Sequence, residues 1–212
     1  PDVYEEVVGE VKITTLSDRQ WCIVLDPINE ERKPQLGKRE VRQGRTSFFL
    51  HPGEYLEGGI QKVYVLGEQE ALLLKAKEAF TEGNTQRNPG DLWMLTGPRD
   101  YIPSVEVEVI EIRKAIPLDK NEGIYVRDTQ TGELKLVSGP QSYMLSAYEQ
   151  LWSKELSPVV EELLSNKFDP VSERGTREKS GFTSTRDKTR AVVFHVPQNA
   201  AVQIHDYKQR TA

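Results

Sequence analysis

The residues of this chain best able to do chemistry are three histidines, one cysteine and a dense run of glutamates. Their spacing leads away from catalysis. His51, His195 and His205 stand in unrelated contexts, whereas an active site or metal site needs groups that converge. Each reads as structural. Cys22 lies inside the apolar run WCIVL at residues 21–25 and reads as a buried packing thiol. The stretch DKNEG at residues 119–123 has the acidic look of a calcium loop. An EF-hand, however, needs Gly at its sixth position and Glu at its twelfth. Here Gly stands fifth and Gln130 stands twelfth, so the stretch reads as a turn. In VEVEVIEI, residues 105–112, Glu106 and Glu108 fall on one face of one strand. A glycosidase pair needs a second carboxylate across a cleft, and nothing in the sequence supplies one. Neither G-x-x-x-x-G-K-[ST] nor G-x-G-x-x-G occurs. No catalytic residue, metal or cofactor is therefore expected.

The basic stretch weighed for nucleic-acid binding is one long segment. Residues 165–190 carry Lys167, Arg174, Arg177, Lys179, Arg186, Lys188 and Arg190, diluted by Asp169, Glu173, Glu178 and Asp187. Phe182 is the one aromatic of its basic part. Mixed charge makes a weak field for RNA, and the many Ser and Thr there suit phosphorylation equally well. The net charge of the chain is −5, so no global basic field draws it to nucleic acid.

At 37% hydrophobic and 29% charged, the 212 residues belong to a folded chain rather than a disordered one. No apolar run approaches the roughly 20 residues that span a bilayer, so no membrane partner is expected. One cysteine fits a reducing compartment, and the expected location is the cytoplasm, with the nucleus as a second site. The chain begins at Pro1, with no Met and no signal-peptide pattern, and reads as a piece of a longer protein.

What must position these residues is a repeat. KITTL at residue 12, KVYVL at 62 and KAIPL at 114 align, with a fainter VVFHV at 192. Nine residues after each start comes a second match: WCIVLD at 21, ALLLKA at 71, GIYVRD at 123 and AVQIHD at 201. A third is a Gly-x6-Gly frame, Gly37 to Gly44, Gly90 to Gly97 and Gly132 to Gly139, followed four residues later by Phe48, Tyr101 and Tyr143. Pro1, Pro52, Pro103 and Pro158 mark borders at nearly even spacing. Fixed frames with elastic connections mean strands joined by surface loops.

The fold expected is all-β and mainly antiparallel. Tandem modules of about 50–55 residues form an elongated row, with a minor helix in the third. The proline borders give repeats at 1–51, 52–102, 103–157 and 158–212. The third unit illustrates the plan, with strands near residues 105–114, 116–118, 124–127 and 133–137. DTQTG at 128–132 makes a hairpin loop, and Pro117 restricts its strand to a short or edge position. Val105, Val107 and Val109 face one way and Glu106 and Glu108 the other, after which Ile110 and Ile112 take the glutamate face. A bulge near Val109 is the simplest cause, and a strand that changed faces would pack first on its own unit and then on the next. Tyr148, Leu151, Trp152 and Leu156 have the spacing of a short amphipathic helix. Lys12, Lys62 and Lys114 follow their border prolines at nearly the same short distance, but the matching Val192 lies far beyond Pro158. The excess, residues 165–190, reads as a mobile surface loop inserted in the fourth unit. Units this small bury little core alone, so neighbours or other copies must share their surface.

With the repeat in hand, the chain resembles the major vault protein family. The features that carry the likeness are PDVYEEVVGEVKITTL at residues 1–16, SFFLHPGEYLEGGIQKVYVL at 47–66, GPRDYIPSVEVEVIEIRKAIPLDKNEGIYV at 97–126 and LWSKELSPVVEELL at 151–164. The likeness runs over nearly the whole chain and is weakest at residues 26–43, 78–90 and 165–190. It implies later repeats of an N-terminal row, three complete and the start of another. Many identical chains would stand side by side as staves of a hollow ribonucleoprotein particle. It implies no enzymatic activity. It also implies particle partners: a poly(ADP-ribose) polymerase, a telomerase-associated protein and vault RNA. In a ring of staves every contact is heterologous, so glutamates on one edge should meet cations on the other. Glu106, Glu108 and Glu111 are the acidic candidates, and Arg113, Lys114 and Lys62 the basic ones. Two other readings stand beside the shell. One is a scaffold binding protein or RNA through loops 26–36 or 165–190, and the other is an enzyme with a site between repeats.

Overall fold

The computed structural model describes residues 2–6, 9–158, 160–161 and 186–193, with single positions 196, 198, 201 and 203. Every strand pairing among them is antiparallel. The chain divides into two compact units, residues 1–114 and 115–212.

The first unit holds two modules of one plan. In the first, β1 (Thr14–Leu16) pairs with β4 (Thr46–Phe48), and β2 (Gln20–Leu25) lies between β3 (Arg39–Gln43) and β5 (Tyr55–Lys62). In the second, β6 (Tyr64–Leu66) precedes the central strand β7 (Glu70–Ala76), and β8 (Phe80–Glu82) and β9 (Thr85–Arg87) form a hairpin. Next come β10 (Leu92–Thr96), β11 (Arg99–Tyr101), which pairs with β6, and β12 (Val107–Lys114); β7 lies between β10 and β12. In the second unit β13 (Ile116–Leu118) is followed by β14 (Gly123–Asp128), β15 (Leu134–Ser138), β16 (Gln141–Tyr143) and β17 (Glu149–Leu151). Here β13 pairs with β16, and β14 lies between β15 and β17. Pro117 sits in a three-residue strand with one partner, as its missing N–H requires.

Period-two alternation along each central strand builds a small core. Cys22 and Val24 turn inward with Leu16; Leu72 and Leu74 with Leu66, Trp93 and Val107; Ile124 and Val126 with Leu118 and Val137. Between the first two strands of every module lies the same four-residue turn. Its fourth residue donates its N–H to the first carbonyl, and its side chain accepts the first N–H: Ser17 with Gln20, Gly67 with Glu70, Asp119 with Glu122. DKNEG is this turn.

The Gly frame is the other constant. Its first glycines, Gly37, Gly90 and Gly132, have φ of +80°, +92° and +75°. Its last, Gly44, Gly97 and Gly139, donate their N–H to the carbonyls of Gln20, Glu70 and Glu122. The approach is closest in the later modules. A Cβ on Gly97 would lie 2.1 Å from the Gly67 oxygen, and one on Gly139 would lie 2.0 Å from that of Asp119.

The Val/Glu strand is β12, and its bulge falls at Ile110: Val109 opposes Leu74 and Glu111 opposes Leu73. The extra residue absorbs the parity switch. Val107, Val109 and Ile112 therefore share one face with Leu72 and Leu74, while Glu108, Glu111 and Arg113 share the other. The strand keeps one apolar face instead of changing faces. It also hydrogen-bonds back to β7, as β5 does to β2, so Pro52 and Pro103 lie on the approach to the strand that completes the preceding sheet.

The helix expected around Tyr148, Leu151, Trp152 and Leu156 does not form. Residues 149–151 are β17, because the exposed edge of β14 offers ladder hydrogen bonds that a helix would forgo. β17 is short and covers only the half of β14 from Val126 to Asp128. Residues 189–191 return to cover the rest, through an Ile124–Arg190 bridge and an Ala191 N–H donated to the Gly123 carbonyl. In register, Ala191 opposite Gly123 matches Gln61 opposite Trp21 and Arg113 opposite Ala71. The long insertion therefore interrupts the third module's edge strand near the position where the other two edge strands bulge. Residues 162–185, most of the expected loop, lie outside the described residues, as do His195 and His205.

Candidate contact surface on the sheet edges

Among the described residues β5 and β12 pair on one side only, with the central strand. Each carries charge beside an open ladder edge, the arrangement by which strands resist indiscriminate pairing. On β12 the outward row runs Glu108 opposite Lys75, Glu111 opposite Leu73 and Arg113 opposite Ala71. Arg113 Nε donates to Glu111 at 2.7 Å, and Lys114 reaches Glu70 at 3.0 Å. The Glu70 carboxyl lies below its ordinary range, held there by the Gly67 N–H and then by Lys114.

The structure thus divides the six predicted contact residues. Glu111, Arg113 and Lys114 are paired within their own chain. Glu106, Glu108 and Lys62 form no ion pair among the described residues. Lys62 is exposed at the end of β5, opposite Gln20, and its carbonyl accepts the Trp21 indole N–H at 3.1 Å. Glu106 sits just before β12, where its carbonyl accepts the Lys77 N–H. Its side chain lines an open groove of about 380 Å³ with Phe80, Glu82, Tyr101 and Val107. Burial, then the Glu82 carboxylate, pushes the Tyr101 hydroxyl up to about 12, so it remains a donor.

Two buried carboxylates went unnoticed in the sequence. Glu54 accepts the N–H groups of Ile28 at 2.8 Å and His51 at 2.9 Å, with Arg42 at 3.9 Å. Glu149 accepts the Ser146 N–H at 2.9 Å and the Tyr143 hydroxyl at 2.8 Å, and pairs with Lys135. Burial works against ionisation of Glu149 and is the largest single influence. The hydrogen bonds from Lys135, Ser146 and Tyr143 together outweigh it and hold the carboxyl at about 2. Both acids stand fourth in a turn that enters the module's last strand. In the second module that place belongs to Val107, and the core there is apolar. The available signal was the pattern already present at Gly67 and Asp119, an acid three residues after the start of a turn. These acids hold backbone and anchor strands; among the described residues no three His, Cys, Asp or Glu side chains gather as a metal site.

The basic stretch is also accounted for where it is described. Arg186, Lys188 and Arg190 face Glu161, Glu155 and Glu122 at 2.8, 3.5 and 3.4 Å, which leaves little field for RNA.

Three stretches, residues 13–60, 64–104 and 115–176, match family models described as Major Vault Protein repeat domain. The chain belongs to the major vault protein repeat family. Each vault-repeat match begins within one residue of a module's first strand. Relatives named major vault protein include one from Strongylocentrotus purpuratus, 55% identical over 100% of this chain, and one from Homo sapiens, 50% identical over 100%. A major vault protein alpha from Dictyostelium discoideum is 55% identical over 99%. The matches cover 25%, 24% and 24% of those proteins, so the chain spans about a quarter of the length of the curated relatives it matches.

Proposed function

We propose that this chain is a wall segment of a structural shell subunit. It would stand side by side with identical chains as part of a stave of the vault particle, and it would carry out no catalysis. The observation that carries the reading is the tandem vault module with charged, one-sided edge strands. A lone module has a core of a few side chains and two open flanks, and lateral neighbours would cover those flanks. With Glu111, Arg113 and Lys114 paired internally, the contacts between copies fall to Glu106 and Glu108 at β12 and to Lys62 at the end of β5, the equivalent edge strand of the preceding module. The polymerase, the telomerase-associated protein and vault RNA follow from the family resemblance and belong to the whole particle, and the reducing compartment that suits the single cysteine would be the cytoplasm, with the nucleus second.

The test has two stages. Sedimentation velocity of the 212-residue chain should give an extended monomer at low concentration that associates weakly as concentration rises. A compact particle that stays monomeric throughout would remove the physical basis of a stave. In the full-length protein, Glu106→Lys with Glu108→Lys should deplete closed particles in electron micrographs. Particles at parental abundance would rule these residues out as lateral contacts.

A further inference from the structure

The edge of β14 is closed by two pieces of chain far apart in sequence. β17 covers one half; the other is covered by residues that return after an excursion running from Trp152 to Asp187. We propose that residues 186–192 are an electrostatic latch, a strand segment held on the β14 edge by charge rather than by apolar burial, whose release opens that edge to a second copy of the chain.

Backbone pairing sets the register. The Tyr125 N–H donates to the Thr189 carbonyl at 3.0 Å, Ala191 to Gly123 at 2.7 Å and Lys154 to Lys188 at 2.8 Å. From residue 186 to 190 every second residue is a cation, and each meets a carboxylate: Glu161 and Glu155 on the departing chain, and Glu122 in the turn that leads into β14. The Arg186 guanidinium grips Glu161 through two nitrogens, at 2.8 and 3.2 Å, and also donates to the Lys154 carbonyl at 2.9 Å. Lys188 faces Glu155 and Arg190 faces Glu122. Arg186 holds the Glu161 carboxyl below its ordinary range.

Apolar contact is slight by comparison. Among the described residues none of 186–193 joins the third module's core cluster; Ala191 rests against Gly123, Val192 is half-buried with its N–H on the Tyr125 hydroxyl, and the neighbouring Val193 is 51% exposed. In β5 and β12 the core anchors, Leu56 and Val107 with Val109, lie on the half that β17 matches, and the counterpart of residues 189–191 is tied to that half by an unbroken strand; in the third module the split removes this continuity. A strand without such anchors can leave while the core stays intact. Its departure would bare the Tyr125 N–H and the Gly123 carbonyl, an unpaired edge of the kind that recruits another strand. An identical chain carries the fitting sequence, residues 186–192.

Hydrogen–deuterium exchange on the full-length protein tests the latch. Arg186→Gln/Lys188→Gln/Arg190→Gln should speed exchange roughly tenfold or more in peptides covering residues 123–125 and 187–192, with the β14–β15 amides unchanged. In the parent, 0.5 M KCl should speed the same peptides, because the screening length shrinks below about 5 Å. Mixing deuterated and unlabelled variant chains, then cross-linking, should trap more mixed pairs than the parent does. Exchange indifferent to both salt and substitution overturns the proposal, as does loss of protection across the whole unit at once. Released strands with no rise in mixed pairs overturn its second half.

Discussion

Glu149 ties a single carboxyl to the stability of a module. Its folded pKa of about 2 lies below the ordinary 4.5. The folded state therefore binds fewer protons than the unfolded chain between those values. The stabilisation is fully present above about 4.5 and is lost as pH falls toward 2, at most about 3 kcal/mol. Urea unfolding of residues 115–212 within the intact chain should show this fall, and Glu149→Gln should flatten it. Parallel losses in parent and variant would remove Glu149 as the cause. Gly139→Ala and Gly97→Ala make a second residue-level case, since each would press a Cβ to about 2 Å from a backbone oxygen. Each should lower stability by more than about 2 kcal/mol, whereas Gly9→Ala, with open space around it, should stay within about 0.5. Thermal melts of the three variants check this. The glycines were legible as a frame, but the reason for the second glycine was not, because its crowding comes from the turn between the module's first two strands, at Gly67 or Asp119. The buried acids were hidden for a related reason. A glutamate in a turn looks solvated until a distant Arg42 or Lys135 is folded beside it.

At the scale of the strand, the bulge at Ile110 decides which face of β12 is apolar. Deleting Ile110 should leave β12 in plain alternation on the same register, with Val109 and Ile112 still facing Leu74 and Leu72 and Glu111 still outward, so that only the bend of the bulge is lost. The deletion variant should keep the cooperative melting of residues 64–114 by circular dichroism and tryptophan fluorescence. A lost melt would mean that the bend at the bulge, and not the alternation alone, holds the strand on β7. This bulge was legible, because a Val/Glu alternation that becomes Ile/Glu in the opposite phase needs an extra residue. The absence of a helix at residues 148–156 was not legible. Tyr148, Leu151, Trp152 and Leu156 do have helical spacing, but Leu151 opposes Val126 while Trp152 meets the Tyr125 ring edge-on at 6.1 Å. Two adjacent apolar residues facing opposite ways satisfy a strand, and the vacant ladder of β14 selected that outcome over local periodicity. The charge pairs divide along the same line. Glu111 and Arg113, two apart on a strand, could be paired on paper; Lys114 with Glu70 required the register of β12 on β7.

Across the whole molecule, the repeat's period was legible and its phase was not. Evenly spaced prolines fix a period, yet a cycle is cut equally well anywhere along it, and only hydrogen bonding shows which strand completes which sheet. The division after Lys114 implies that residues 1–114 fold without the remainder. Expressed alone, they should melt cooperatively with a β-type spectrum; a disordered spectrum would show that the two vault modules need the third. The split strand of the third module has a further consequence during synthesis. β5 and β12 leave the ribosome in one piece, so each of the first two sheets is completed as its last strand emerges. The third is half finished at Leu151 and must wait for residues 189–191. At about 5–20 residues per second that wait lasts roughly 2–8 seconds. For that interval each nascent chain shows a bare edge to its neighbours on the same messenger, at high local concentration and with the matching partner still inside the tunnel.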